Sequence, residues 1–267
     1  MVQLYRRISF WLGLLGLLWV VVPALLSWWW TPYDAMMIQE DKRLLTPRVE
    51  HLLGTDLLGR DLLSRMMVAG RTALVIAFGA VSLAFGIGFL LVVMSVVWAR
   101  WLGFFARVVM DFILIFPTIL FALVMIVIWG NGLGAMILLL GIAMSPRFLK
   151  VMIATIHEQQ GLEYLAVAQS LGKRGWHLLV YHYLPALWQP MIHTVVTALA
   201  MVILSEASLS FLGLGVMPPN PSWGYALSEA KQYFFSYPHL AYAPLLFMMT
   251  AILSLNLLGY AFSQEQG

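Results

Sequence analysis

Cysteine is absent from all 267 residues, which excludes disulfides, thiolate metal sites and thiol catalysis. Charge is scarce as well. Only 10% of the chain is Asp, Glu, Lys or Arg, against about 25% in soluble domains. The formal net charge of +3 supplies no basic stripe of the kind nucleic-acid binding requires, so nucleic acid is not an expected partner. Catalytic signatures are missing too. No Gly-x-x-x-x-Gly-Lys-Ser/Thr loop is there to cradle phosphates, so the chain is not expected to hydrolyse nucleotide itself or to act as an enzyme. Neither His-Glu-x-x-His nor Gly-x-Ser-x-Gly occurs. His157-Glu158 lacks a second histidine four residues after the first, and the six histidines are scattered. Neither a metal nor another cofactor is expected in this chain.

What remains is apolar. Hydrophobic residues make up 62% of the sequence and the mean hydropathy is +0.88; in water such a chain would expose large apolar patches, so lipid is its expected solvent. A bilayer core of roughly 30 Å takes about 20 apolar residues per helix. Six stretches meet that length: 8–30, 72–99, 108–129, 133–150, 191–216 and 240–262. They predict an all-α integral membrane protein with six transmembrane helices. The first stretch follows Arg6-Arg7 and could be read as a secretory signal. It is long for that, however, and ends in Trp28-Trp29-Trp30 instead of small residues, which favours a retained helix with an interfacial anchor. Gly130-Asn131-Gly132 reads as a tight turn between the third and fourth helices.

The second helix carries Ala73, Ala77, Ala80, Ala84 and Gly88 at spacings of three or four. Small residues on one face let helices approach closely in lipid, so this helix is expected at the centre of the bundle. Residues 31–71 hold six acidic and six basic residues. From 57 to 67, Leu58, Leu62, Leu63, Met66 and Met67 fall on one helical arc, and Arg60, Asp61, Ser64 and Arg65 on the other. With Thr55-Asp56 as capping residues, this predicts a surface helix lying on the membrane or on its own bundle. The chain thus divides into an N-terminal helix plus amphipathic segment, 1–71, and a five-helix core, 72–267. With the N-terminus inside, positive residues number eight in the cytoplasmic segments and seven in the external ones, a slight preference for that orientation.

Two carboxylates fall at or within spans. Asp111 lies near the inner end of the third and Glu206 deep in the fifth. Charge in lipid is costly, so both are candidates for a translocation pathway. The structural alternative is a hydrogen bond to a neighbouring helix or, for Asp111, a pair with Arg107 one turn earlier. Between the fourth and fifth spans, about 155–188, comes a long polar interruption. Glu163 to Ser170 and Trp176 to Pro185 read as two short helices around Gly172-Lys173-Arg174-Gly175. Such a device has nothing to do inside a membrane and is suited to docking a soluble partner.

This loop resembles the cytoplasmic coupling loop of permease subunits in bacterial binding-protein-dependent ABC importers, a Glu-Ala-Ala motif followed by Gly and later by Leu-Pro. Here the matching residues are Ala166-Val167-Ala168, Gly172 and Leu184-Pro185. The motif's Glu is Ala166 and its usual Ile is His182, with Glu163 close enough to take over the acidic role. The segment His51-Leu-Leu-Gly-Thr-Asp56-Leu-Leu-Gly-Arg60-Asp61 is similar to the dipeptide/oligopeptide/nickel subgroup. So are Ser210-Phe-Leu-Gly-Leu-Gly215, Pro221-Ser-Trp-Gly224 and Asn256-Leu-Leu-Gly259.

The resemblance implies a subunit in a bacterial inner membrane, with both termini cytoplasmic and 31–71 and 213–238 outside. It also implies a second, non-identical permease, two ATPase subunits that bind ATP and Mg²⁺, and an extracytoplasmic solute-binding protein. Small peptides or nickel and metal chelates are the implied substrates. The competing reading is a proton-coupled secondary transporter using Asp111 or Glu206; it would need no coupling loop, and the two halves show no inverted repeat.

Overall fold

The structure is a computed structural model that describes residues 2–98, 100–115, 118–173 and 175–263. Among these, ten α-helices form and no strand; one isolated bridge pairs Thr55 with Asp61. Helix α1 is Val2–Leu26 and α2 Leu62–Val93, the latter running on through a π-helical turn, Met94–Trp98. Helices α3 (Arg100–Ile115) and α4 (Thr118–Trp129) precede α5 (Leu133–Gln160) and α6 (Glu163–Ser170). The single turn α7 (Trp176–Leu178) passes through a π-helical turn, Leu179–Tyr183, into α8 (Leu184–Phe211). Helices α9 (Trp223–Ala230) and α10 (His239–Ser263) complete the chain.

Among the described residues five helices are long and apolar enough to cross a bilayer: Arg7–Leu26, Leu62–Val97, Leu133–Gln160, Trp176–Phe211 and His239–Phe262. The sixth expected span is not straight. Gly103–Ile115 and Leu120–Trp129 meet at 104°, and the 12 residues of α4 reach only about 18 Å at 1.5 Å per residue. Phe116 and Pro117 at the junction lie outside the described residues; a proline removes a helical donor and disfavours helix in the residue before it. Counted as one bent span, the pair brings the total to six.

Helix α2 is central, in contact with α1, α3, α5, α8, α9 and α10. Its small-residue stripe is buried throughout. At Gly88 a Cβ would stand 3.0 Å from that of Phe148 on α5, and one at Gly141 on α5 would press on Leu83. This is the close approach the spacing predicts. Helix α1 packs along α10, where a Cβ at Gly13 would crowd Ser254 O. Trp28, Trp29 and Trp30 are exposed beyond its end, with the Arg71 guanidinium 5.8 Å above the Trp28 ring.

Three expectations need correction. Helix α2 begins at Leu62, not 72, so the division placed at residue 71/72 falls inside a helix. No separate surface helix covers 57–67: Leu62–Met67 are the first turns of α2, and the polar arc of the wheel, Arg60, Asp61, Ser64 and Arg65, is buried while Leu58 and Leu63 are half-buried. The cap is Asp61, whose carboxylate accepts from Ser64 N at 2.8 Å. Finally, the two short helices of the polar interruption are one. Only α6 stands apart, while Trp176 onward is continuous with the span through Phe211. Pro185 offers no N–H to Tyr181 O and crowds that carbonyl, and the helix answers by widening into the π-turn over Leu179–Tyr183 instead of breaking.

Candidate functional site

Helix α6 starts with Glu163, an acid at the positive end of the helix dipole. It ends at a left-handed glycine: Gly172 has φ +82, and Lys173 N donates to Ala168 O at 3.1 Å, the six-to-one closure of a Schellman turn. Among the described residues a Cβ on Gly172 would meet nothing within 4 Å, so the position is open to a partner. Leu165 is buried in the core and Ala168 packs partly against it. The opposite side shows Tyr164, Val167 and Leu171, all exposed and spaced three and four residues apart, so one apolar stripe faces outward.

Sequence reasoning quoted Val167 only within the matching motif and did not single out Tyr164 or Leu171, and it placed Ala168 among the docking positions when it packs partly against the core. The burial of Leu165 separates the two sides, and burial belongs to the tertiary structure. Glu163 is exposed and makes no ion pair among the described residues. Ala166 lies on α6, but its side chain and the whole of Arg174 lie outside the described residues. Leu184 and Pro185 sit inside the continuous helix, exposed on its surface.

The two intramembrane carboxylates have different settings. Asp111 pairs with Lys150 of α5 at 2.9 Å, both side chains more than half exposed; Arg107 instead donates to Gly103 O. Glu206 is 1% exposed. Its Oε1 accepts from Ser210 Oγ at 2.6 Å and from Ser222 Oγ at 2.9 Å. Ser210 Oγ in turn accepts from Val216 N, and Ser222 Oγ caps α9 by accepting from Tyr225 N. One carboxylate oxygen thus folds the chain after α8 back over the helix end. Gly224 closes the same joint, since a Cβ there would overlap Ala207 O. Glu206 Oε1 is thus a hydrogen-bond node for the joint after α8, its Oε2 is buried without a partner among the described residues, and Asp111 is the accessible one of the two.

A prediction arises from this node. Glu206→Gln keeps the volume and an oxygen able to accept from both serine hydroxyls, but it sets an NH₂ group with two donors where the buried Oε2 has no partner among the described residues. It is expected to lower the thermal stability and yield of the assembled protein by about 1–3 kcal/mol, leaving transport per folded molecule unchanged. Normal yield with reduced transport per molecule would instead place Glu206 in the pathway.

At the end of the bundle opposite α6, residues 31–61 fold into a cap. Asp56 Oδ1 accepts from Leu58 N and Arg60 N at 2.8 and 3.0 Å. Its Oδ2 holds Arg60 Nε at 2.7 Å and Arg65 Nε at 3.2 Å. Arg65 Nη2 reaches Glu229 of α9 at 4.0 Å. Burial pushes the Glu229 carboxyl up from its ordinary value, with Arg65 and Arg60 pulling it partly back. Beside this network His51 Nδ1 and Asp61 Oδ1 are 2.9 Å apart, and Trp223 Nε1 donates to Met66 O at 3.1 Å. Gly54 and Gly59 have φ of +80 and +76, and a Cβ on either would overlap a carbonyl, of Leu45 or Gln39. The segment 51–61, quoted above for its resemblance and read in part as a surface helix, is thus the framework of the cap. The equal number of acids and bases in 31–71 was the signal available for it.

A bundle of five long apolar helices with a sixth bent span, a buried-charge cap at one end and a short helix with an apolar outer stripe at the other defines a polytopic membrane protein. Residues 80–265 match the family described as binding-protein-dependent transport system inner membrane component, and the chain belongs to that family. Similar proteins include the glutathione transport system permease protein GsiD of Pectobacterium atrosepticum, 33% identical over 229 residues, 85% of this chain and 76% of the relative. The protein of the same name from Escherichia coli O1:K1 / APEC is 31% identical over 241 residues, 90% of this chain and 80% of the relative. That from Shigella boydii serotype 4 gives the same identity and coverage. The chain is a multi-pass permease subunit of an ABC importer in the inner membrane, of the peptide/nickel subgroup.

Proposed function

We propose that this subunit forms half of a translocation pore with a second, non-identical permease. In this reading α6 docks on one of two ATPase subunits that bind ATP and Mg²⁺. Both termini and α6 face the cytoplasm, and the 31–61 cap with the 213–238 segment faces outward to receive a solute-binding protein. The exposed Tyr164, Val167 and Leu171 stripe ending at Gly172 carries the docking reading, because an apolar face in water at the end of a membrane bundle is stabilised only by a partner. ATP-driven closure of the ATPases would move α6 and switch the pore between outward and inward access.

For the substrate we favour a small peptide. The relatives above are named for glutathione, itself a tripeptide, whereas nickel or a metal chelate has only the subgroup behind it. The competing proton-coupled carrier draws no support from Glu206, which is 1% exposed with its Oε1 held by two serine hydroxyls, or from Asp111, which is tied to Lys150.

The absence of cysteine makes the topology directly testable. Leu171→Cys, on the α6 turn, is expected to react with a membrane-impermeant maleimide only in inside-out vesicles. Asn220→Cys should react only in intact spheroplasts. Labelling of position 171 from outside would remove the ATPase-docking reading. Copurification of the tagged chain, followed by identification of the ATPase and binding protein that accompany it, tests partners and substrate class together.

A further inference from the structure

At the α6 end of the bundle, α2, α3, α5 and the α6–α7 turn line an open-mouthed cavity of about 860 Å³, within the range of roughly 300–1,000 Å³ common for small-ligand sites. Three basic side chains from three different elements line it: Arg107 of α3, His157 of α5 and Lys173 of the turn. No acid lines it. Among the described residues none of the three takes part in an ion pair. The nearest acid along α3, Asp111, is engaged by Lys150. The contrast with the cap end is informative, since there Arg60 and Arg65 are answered by Asp56 and Glu229. In a chain so poor in charge, converging bases without an acid are arranged for an anion that comes from elsewhere.

The cavity is also graded along the bundle axis. Ile153 and Ile156 precede His157 on α5, and Val92 lies deeper on α2 than Ser95. The wall is therefore apolar toward the bundle middle and polar at the mouth. Arg107 Nε bonds back to Gly103 O at 3.1 Å, which draws the guanidinium toward that mouth, as long basic side chains near a membrane interface do. A free inorganic anion would use only the mouth. An amphiphile with a charged head and a hydrocarbon tail uses both.

We propose that this cavity binds an anionic phospholipid. The phosphate sits between Arg107 and Lys173, and the upper acyl carbons lie against Val92, Ile153 and Ile156. Basic pockets between membrane helices are suited to such headgroups. Because Arg107 and Lys173 belong to separate elements, a bound phosphate ties the α6 turn to α3, so lipid composition sets how firmly α6 is held. This goes beyond the transport role, and it holds whichever leaflet the α6 end faces.

The test uses the chain purified with the subunits that accompany it in a mild detergent, with phosphatidylglycerol, phosphatidylcholine or inorganic phosphate added and the melting temperature read. Phosphatidylglycerol is expected to raise it by several degrees at a few lipids per complex, with phosphatidylcholine and millimolar phosphate without effect. In Arg107→Gln/Lys173→Gln the half-effective lipid concentration should rise about tenfold or more. The exchange Arg107→Lys/Lys173→Arg should retain the response, as should Arg48→Gln at the far end. An equal shift from inorganic phosphate would overturn the lipid in favour of a soluble anion. A wild-type response in the Gln double variant, or no preference for phosphatidylglycerol over phosphatidylcholine, would overturn the site. Should the Gln variant not assemble, native mass spectrometry of the wild type and the Lys/Arg exchange decides: no retained phosphatidylglycerol in either rejects the proposal.

Discussion

Asp56→Ala is expected to abolish recovery of the folded protein from membranes. The carboxylate accepts three hydrogen bonds, two from the backbone of its own turn and one from Arg60, and forms an ion pair with Arg65 at 3.2 Å, and both guanidinium groups are buried. Removing it leaves two buried cations facing each other with only Glu229, 4.0 Å from Arg65 Nη2, as a counter-charge. Losing one partner of a buried pair costs about 3–5 kcal/mol, a large part of the roughly 5–15 kcal/mol by which domains are stable. Asp56→Asn should not rescue it. The amide oxygen can keep the backbone N–H groups of Leu58 and Arg60, but the NH₂ then points at two guanidinium groups. Arg48→Gln, exposed on the same cap, serves as the control and should behave as the parent. The measurement is yield and thermal unfolding in detergent. Near-normal stability of Asp56→Ala would mean that water reaches Arg60 and Arg65 and that the cap is looser than its hydrogen bonds indicate.

Gly172→Val should leave folding intact and remove coupling. Its Cβ meets no neighbour, so the side chain fits; the backbone is the difficulty. At φ +82 a β-branched residue costs about 1–3 kcal/mol, confined to the Schellman turn that closes α6. The bundle lies elsewhere and is not strained. If α6 docks on an ATPase, a displaced turn and an added isopropyl group at the open position both oppose it. The expected result is normal membrane insertion, weak or no copurification of the ATPase, and no stimulation of hydrolysis by loaded binding protein. Gly172→Ala should be intermediate, since it shares the φ penalty with less bulk. Fully stimulated hydrolysis by Gly172→Val would remove α6 as the transmission element while leaving membership of the permease family untouched.

These two variants separate two kinds of glycine and charge that the bare sequence presents alike. Gly54, Gly59 and Gly172 all have positive φ. At the first two a Cβ would overlap a carbonyl, whereas at Gly172 there is open space, so the first two serve the fold and the third is left free for a partner. Arg60 and Arg65 fell on the polar arc of a helical wheel and so read as solvated. A wheel assigns faces from one helix alone, and here the face that looked outward is covered by the cap and by α9.

Composition, hydropathy and spacing determined on their own that the chain is helical and lives in lipid, because a bilayer accepts only backbones that satisfy their own hydrogen bonds. Spacing of small residues also placed α2 at the centre, since close approach in lipid depends on side-chain size and that is written residue by residue. The Schellman glycine was legible for the same local reason. Only the tertiary structure decided where polar groups go. It paired Asp111 with Lys150 across two helices instead of with Arg107 one turn away, and it enclosed Glu206 between Ser210 and Ser222. It turned Ala168 inward and Val167 outward on α6, and it joined Trp176 to Phe211 through a π-turn where Pro185 suggested a break. Each of these depends on what lies across a helix–helix contact. Hydropathy reports how greasy a segment is and not which neighbour it meets.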